Sequence, residues 1–172
     1  MILFYAMLGF GLLLVKTSLL LPFPAVSRMF DPLLVLTVYL GLFRPGLIFA
    51  ALAMFLGYLL DLYSSSVFGF HIIVLIAVYY VTSLLRGRFF LESAFFQGVY
   101  LAAMVLLHDV LSMGVFSLLG HGGTTSFMFD GLIARMIFNG VTGVYLFRWI
   151  RTRDARYAPL SERNAPGGIS LN

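Results

Sequence analysis

Between Ile2 and Ile150 the chain keeps returning to long, nearly uninterrupted apolar runs, each stopped by a short polar, basic, proline or glycine break. The runs are Ile2–Leu21, ended by Pro22 and Pro24; Pro32–Phe43, ended by Arg44-Pro45; Gly46–Tyr63, ended by three serines; Phe68–Leu85, ended by Arg86-Gly87-Arg88; Ser93–Leu119, ended by Gly120-His121-Gly122-Gly123; and Phe127–Ile150, leading into Arg151-Thr152-Arg153. Continuous apolarity without alternation argues against the strands of a membrane barrel, and most of the runs reach the roughly 17–25 residues that a spanning helix needs. The second is short. As a helix it rises only about 18 Å, so it must begin earlier, near Ala25, or tilt, or be shielded by its neighbours.

Composition gives the same direction. The chain is 61% hydrophobic and 10% charged, against about 25% charged in an ordinary soluble domain. Dissolved in water, such a chain would expose large apolar patches. The expected fold class is therefore all-α: a polytopic integral membrane protein of about six helices over residues 1–150, with a basic, disordered cytoplasmic tail over 151–172. Met1 to Val15 lacks the basic start of a secretory signal, so the first run reads as a retained span. With the C-terminus inside, Arg44, Arg86, Arg88, Arg148, Arg151, Arg153, Arg156 and Arg163 fall on the cytoplasmic side and only Arg28 in an outer loop. That bias sets the orientation, with both termini cytoplasmic. Trp149 at the inner boundary and Tyr63, Phe68 and Phe70 near an outer one suit interfacial positions, and membrane lipids are the first expected partners.

The residues that cost most in lipid are the ionisable ones inside the runs: Lys16, Asp61, His108, Asp109 and Arg135. Counted from the cytoplasmic ends, Lys16 and Asp61 lie about 22 Å up their helices and Asp109 about 24 Å, while Arg135 lies about 12 Å below the outer end of the sixth. Lys16, Asp61, Asp109 and Arg135 form a candidate intramembrane polar cluster in the outer half. Its readings are buried ion pairs that hold the bundle, a snorkelling Lys16, or a cavity that binds a ligand or a partner segment. His108 is expected to leave its helix in a different direction from Asp109. Gly57, Gly140 and Gly143 are expected helix-packing positions, with Gly9, Gly11, Gly98 and Gly114 of the same kind.

Much chemistry is absent. Cysteine is missing altogether, which removes thiolate nucleophiles and cysteine metal sites. The three histidines have no metal-ligand spacing, the glycine-rich turn at 120–123 carries no Walker lysine, and the basic tail has no nucleic-acid module beside it. No catalytic, cofactor-binding or metal residue is assigned, no cofactor is expected, and the chain is not read as an enzyme.

Asp31-Pro32-Leu33-Leu34-Val35-Leu36 followed by Tyr39-Leu40-Gly41-Leu42-Phe43-Arg44-Pro45 resembles the second segment of the bacterial rod shape-determining protein MreD family. Phe55-Leu56-Gly57-Tyr58-Leu59-Leu60-Asp61-Leu62, then Phe68-Gly69 and the basic Arg86-Gly87-Arg88 turn, follow at the family's spacing. The resemblance implies a non-catalytic inner-membrane subunit of the cell-elongation machinery, acting in cell shape and peptidoglycan synthesis. The partners it implies are an MreC-like bitopic protein, an MreB-like filament, and a RodA-type polymerase with its penicillin-binding transpeptidase. It also implies a bundle similar to the substrate-binding subunits of energy-coupling-factor transporters. Two other functions remain open: a substrate-binding subunit of a vitamin or metabolite transporter, whose pocket the polar cluster would line, and an intramembrane aspartic hydrolase using Asp61 and Asp109 as a dyad. The nearby cations work against the proton such a dyad must share.

Overall fold

The computed structural model describes residues 2–19, 29–64, 68–86, 93–118 and 131–157, and the chain is all-α, with no strand among the described residues. Among the described residues six helices follow one another. They are α1 (Ile2–Leu14, continued by a wider π turn over Val15–Leu19), α2 (Pro32–Phe43), α3 (Leu47–Ser64), α4 (Phe70–Leu85), α5 (Ala94–Leu118) and α6 (Leu132–Tyr157). Of these, α5 alone is long and apolar enough to cross a membrane by length and composition; the stretches in α1 to α4 are shorter apolar helices. Arg28, Pro22, Pro24, Arg88, the 120–123 turn, Phe127 and the tail beyond 157 lie outside the described residues.

Helices consecutive in the chain run in opposite directions, so the bundle has two ends. The ends of α1, α3 and α5 meet the starts of α2, α4 and α6 at what we call the Lys16 end; the Arg44 end is the other. The most extensive pairings are α3 with α4 and α5 with α6, and α2 touches all five other helices. A helix that is apolar all round has to be covered all round, and α2 is: every residue from Pro32 to Leu42 is buried. Of the explanations offered for its shortness, shielding by neighbouring helices is present in the structure. Phe30 and Asp31 are not helical, and Pro32 occupies the first position of the helix, where a missing N–H costs nothing. At its far end the Arg44 N–H bonds to Leu40 O at 2.9 Å, and Pro45 stops the helix.

Small residues set the close approaches. A methyl group added to Gly57 would lie 2.7 Å from Ile72 Cα, so α3 and α4 cross there backbone to backbone. Gly140 faces Gly98 between α6 and α5, with the Gly98 carbonyl 3.1 Å from the Cβ position, and Gly143 makes room for Leu101 and Val35. Gly11 and Gly114, expected to pack in the same way, have nothing within 4 Å of a Cβ. The outside of the bundle is as apolar as its core, with Leu3 and Phe10, Phe55 and Leu62, Phe95 and Val99, and Ile137 and Tyr145 all exposed.

The boundary expected at residue 150 falls inside a helix, because α6 continues to Tyr157. Asp154 supplies the reason. It accepts two bonds from Arg44, Nε at 3.1 Å and Nη2 at 2.9 Å, which ties the last turns of α6 to the end of α2.

Candidate functional site

Buried charge must be matched by opposite charge or by hydrogen bonds, and the Lys16 end does this through neighbouring helices. The π turn that ends α1 carries Lys16, whose Nζ is 3.1 Å from Asp31 Oδ1, at the start of α2. The Asp31 N–H donates to Asn139 Oδ1 on α6 at 2.9 Å. Asn139, fully buried, donates its own amide to Met29 O at 2.7 Å and to Arg135 O at 2.9 Å. Arg135 Nη1 in turn donates to Asp109 Oδ2 on α5 at 3.0 Å, and Asp109 Oδ1 lies 3.1 Å from His108 Nδ1. The result is one chain of contacts running through α1, α2, α6 and α5.

Asp61 serves another purpose. The first N–H groups of a helix have no partner within it and attract negative charge. α4 begins after Gly69, whose φ of 93° places it in the left-handed region and which has no side chain to cap with. The cap comes from the neighbouring helix. The Asp61 carboxylate accepts from the backbone N–H of Gly69 at 3.0 Å, His71 at 2.8 Å and Ile72 at 3.3 Å, and Oδ1 lies 2.8 Å from His71 Nδ1. Its side chain is 0% exposed. Gly57, one turn earlier on α3, is what lets the α4 backbone come close enough. Gly57, Asp61 and Gly69 therefore work as one junction, and the Gly-x-x-x-Asp spacing is the register of that junction on a single helix face.

Of the four residues expected to cluster, the structure joins Asp109 and Arg135 directly. Lys16 pairs with Asp31 rather than with either expected acid, and Asp61 is taken by α4. The expected divergence of His108 and Asp109 is corrected too, since both are buried and the imidazole turns onto the adjacent carboxylate. For a hydrolytic dyad the geometry offers little: Asp61 and Asp109 each have their own partners, and neither depends on the other for a proton. Among the described residues no group of three or more potential ligands could hold a metal ion.

Reading the sequence for charge missed Asn139 and His71 and used Asp31 only as a motif residue. Signals were present for two of them. Asp31 directly before Pro32 is a helix-start pattern, and Asn139 stands four residues after Arg135, on the same helix face. The same reading missed the Arg44–Asp154 pair at the opposite end. There Tyr39 Oη also donates to Asp154 Oδ2 at 3.3 Å, above a cluster in which Tyr39 lies 4.9 Å from Phe43 and 5.4 Å from Phe147 between ring centroids. Burial alone would lower the Arg44 pKa, but Asp154 outweighs it and the net direction is upward. No family model, characterised protein or solved structure matches the chain.

Proposed function

We propose that the chain is an integral membrane protein crossing the bacterial inner membrane six times, with the Arg44 end and both termini in the cytoplasm, and that it is a non-catalytic subunit of the cell-elongation machinery of the MreD type. The observation that carries the membrane reading is the outer surface: large apolar side chains stand exposed on every helix except the enclosed α2. In water that surface would drive aggregation; in lipid it costs nothing. A 12-residue α2 is too short for a hydrocarbon core of about 30 Å, but it meets protein on every side and its length is not set by lipid. The basic Arg44 end suits a cytoplasmic position.

The subunit role is supported by how the buried charges are used. Asp31, Asp61 and Asp109 each hold helices together, and the segment that carries the family resemblance, from Asp31 to Arg88, spans α2 and the Gly57–Asp61–Gly69 junction. A protein of this kind acts through the surfaces of its helices and short loops on an MreC-like bitopic protein, on RodA-type and transpeptidase partners, and through them on an MreB-like filament.

The test is affinity purification of the tagged chain in mild detergent, with mass spectrometry of co-purifying proteins and small molecules. Recovery of an MreC-like protein with cell-wall synthases is the expected outcome. Recovery of transporter ATPase subunits with a bound vitamin would overturn the reading.

A further inference from the structure

At the Arg44 end a cavity of about 110 Å³ opens between α2, α5 and α6, lined by Phe43, Gln97, Phe147, Arg148 and Arg151. A water needs about 10–15 Å³ of such space, so the cavity has room for several waters or for a small polyatomic anion. Its walls differ in kind. Phe147 and Gln97 are buried and hold the floor in place, while Arg148 and Arg151 line the mouth. The Arg151 guanidinium carbon stands 5.9 Å from the centre of the Phe43 ring, a cation–π contact that positions it without neutralising it.

Charge balance decides what this cavity takes. Among the described residues neither Arg148 nor Arg151 has a carboxylate partner, and the acid nearest in sequence, Asp154, is already held by Nε and Nη2 of Arg44. Gln97 lies in the first turn of the 25-residue α5, where the backbone dipole also favours an anion. Two guanidiniums lining one cavity near a helix start are the elements of a phosphate site.

We propose that this cavity binds a phosphate-bearing anion, either the head group of an anionic phospholipid or a free phosphate, with Arg148 and Arg151 as its ligands. The lipid source rests on the membrane reading above, which places the cavity at the cytoplasmic surface, where basic pockets between helices meet anionic head groups; the phosphate chemistry does not depend on that reading.

The full chain in mild detergent is titrated with phosphatidylglycerol and with phosphatidylcholine and examined by native mass spectrometry. The expected result is retention of phosphatidylglycerol over phosphatidylcholine, falling roughly fivefold for each arginine removed in R148Q and R151Q. R153Q serves as control: Arg153 is exposed at the same end, 5.5 Å from the Trp149 ring and outside the cavity, and should change little. Displacement of the lipid by millimolar inorganic phosphate assigns the site to a free anion, and resistance to it assigns the site to lipid. Equal binding of the two lipids by the parent chain together with no binding of inorganic phosphate, or an R153Q loss as large as that of R148Q/R151Q, overturns the proposal. Alkaline extraction of membranes tests the other premise separately. A chain released by carbonate defeats the membrane reading, and titration with inorganic phosphate alone then decides the cavity.

Discussion

The two ends of the bundle use similar residues in opposite ways. At the Lys16 end, charges pair between helices: Lys16 with Asp31, Arg135 with Asp109, and Asp61 with the amides of α4. At the Arg44 end one acid, Asp154, meets one arginine above an aromatic cluster, and Arg148 and Arg151 are left with their charge available. The first arrangement fixes which helix sits beside which, because an isolated buried charge costs far more than a matched one. The second ties down one helix end and keeps positive charge facing outward. Specific pairing and outward charge are thus segregated by end.

That contrast can be broken from either side. The largest effect is expected for Asp109→Ala, which strands Arg135 in the bundle. Removing one member of a buried pair costs about 3–5 kcal/mol, and thermal unfolding in detergent should show it. The double variant D109L/R135M should recover much of that loss; if it melts no higher than D109A, the pair is not the unit described here. Next comes Asp61→Ala, which leaves the N–H groups of Gly69, His71 and Ile72 without their acceptor. The expected loss is about 2–3 kcal/mol by the same melt, given the usual cost of unsatisfied buried donors. Gly57→Ala should follow at about 1–3 kcal/mol, since the new methyl meets backbone rather than a side chain that could swing away. Smallest is Arg44→Gln, expected to cost about 1 kcal/mol because the glutamine amide still offers Asp154 a hydrogen-bond donor.

Four of the helices, α2 to α5, were legible in the sequence almost to the residue, because uninterrupted apolarity and its Pro, Gly and Arg breaks are local signals. Pro32–Phe43 has the same bounds in sequence and structure, and the third, fourth and fifth runs differ by a residue or two at their ends. Position along the axis was legible too. Counting residues set Lys16, Asp61, Asp109 and Arg135 at similar heights in the expected outer half, and in the fold all four lie toward the Lys16 end.

Which charge meets which was not legible, since counting gives height along a helix and leaves open which helices are neighbours and which way each face turns. Asp61 shows the difficulty. A carboxylate in an apolar run suggests a cation as partner, whereas its main partners are backbone amides of the next helix, which no residue letter announces. Asn139 was passed over because it carries no charge, although it connects α6 to the start of α2. The end of α6 was misplaced for a related reason: Arg151, Thr152 and Arg153 look like the start of a solvated tail, and the anchor that keeps them helical, Asp154 on Arg44, comes from more than a hundred residues away.

The enclosure of α2 has a consequence for how the molecule is made. Synthesis proceeds from the N-terminus, so α2 leaves the ribosome after only one of its five covering helices and before the other four. From then until α6 docks, some of its apolar circumference has no final partner, and any chain shortened ahead of α6 keeps that gap open permanently. The helix at the centre of the fold is begun early and completed last. Assembly of this protein is therefore governed less by the order in which helices form than by how long the second one can wait.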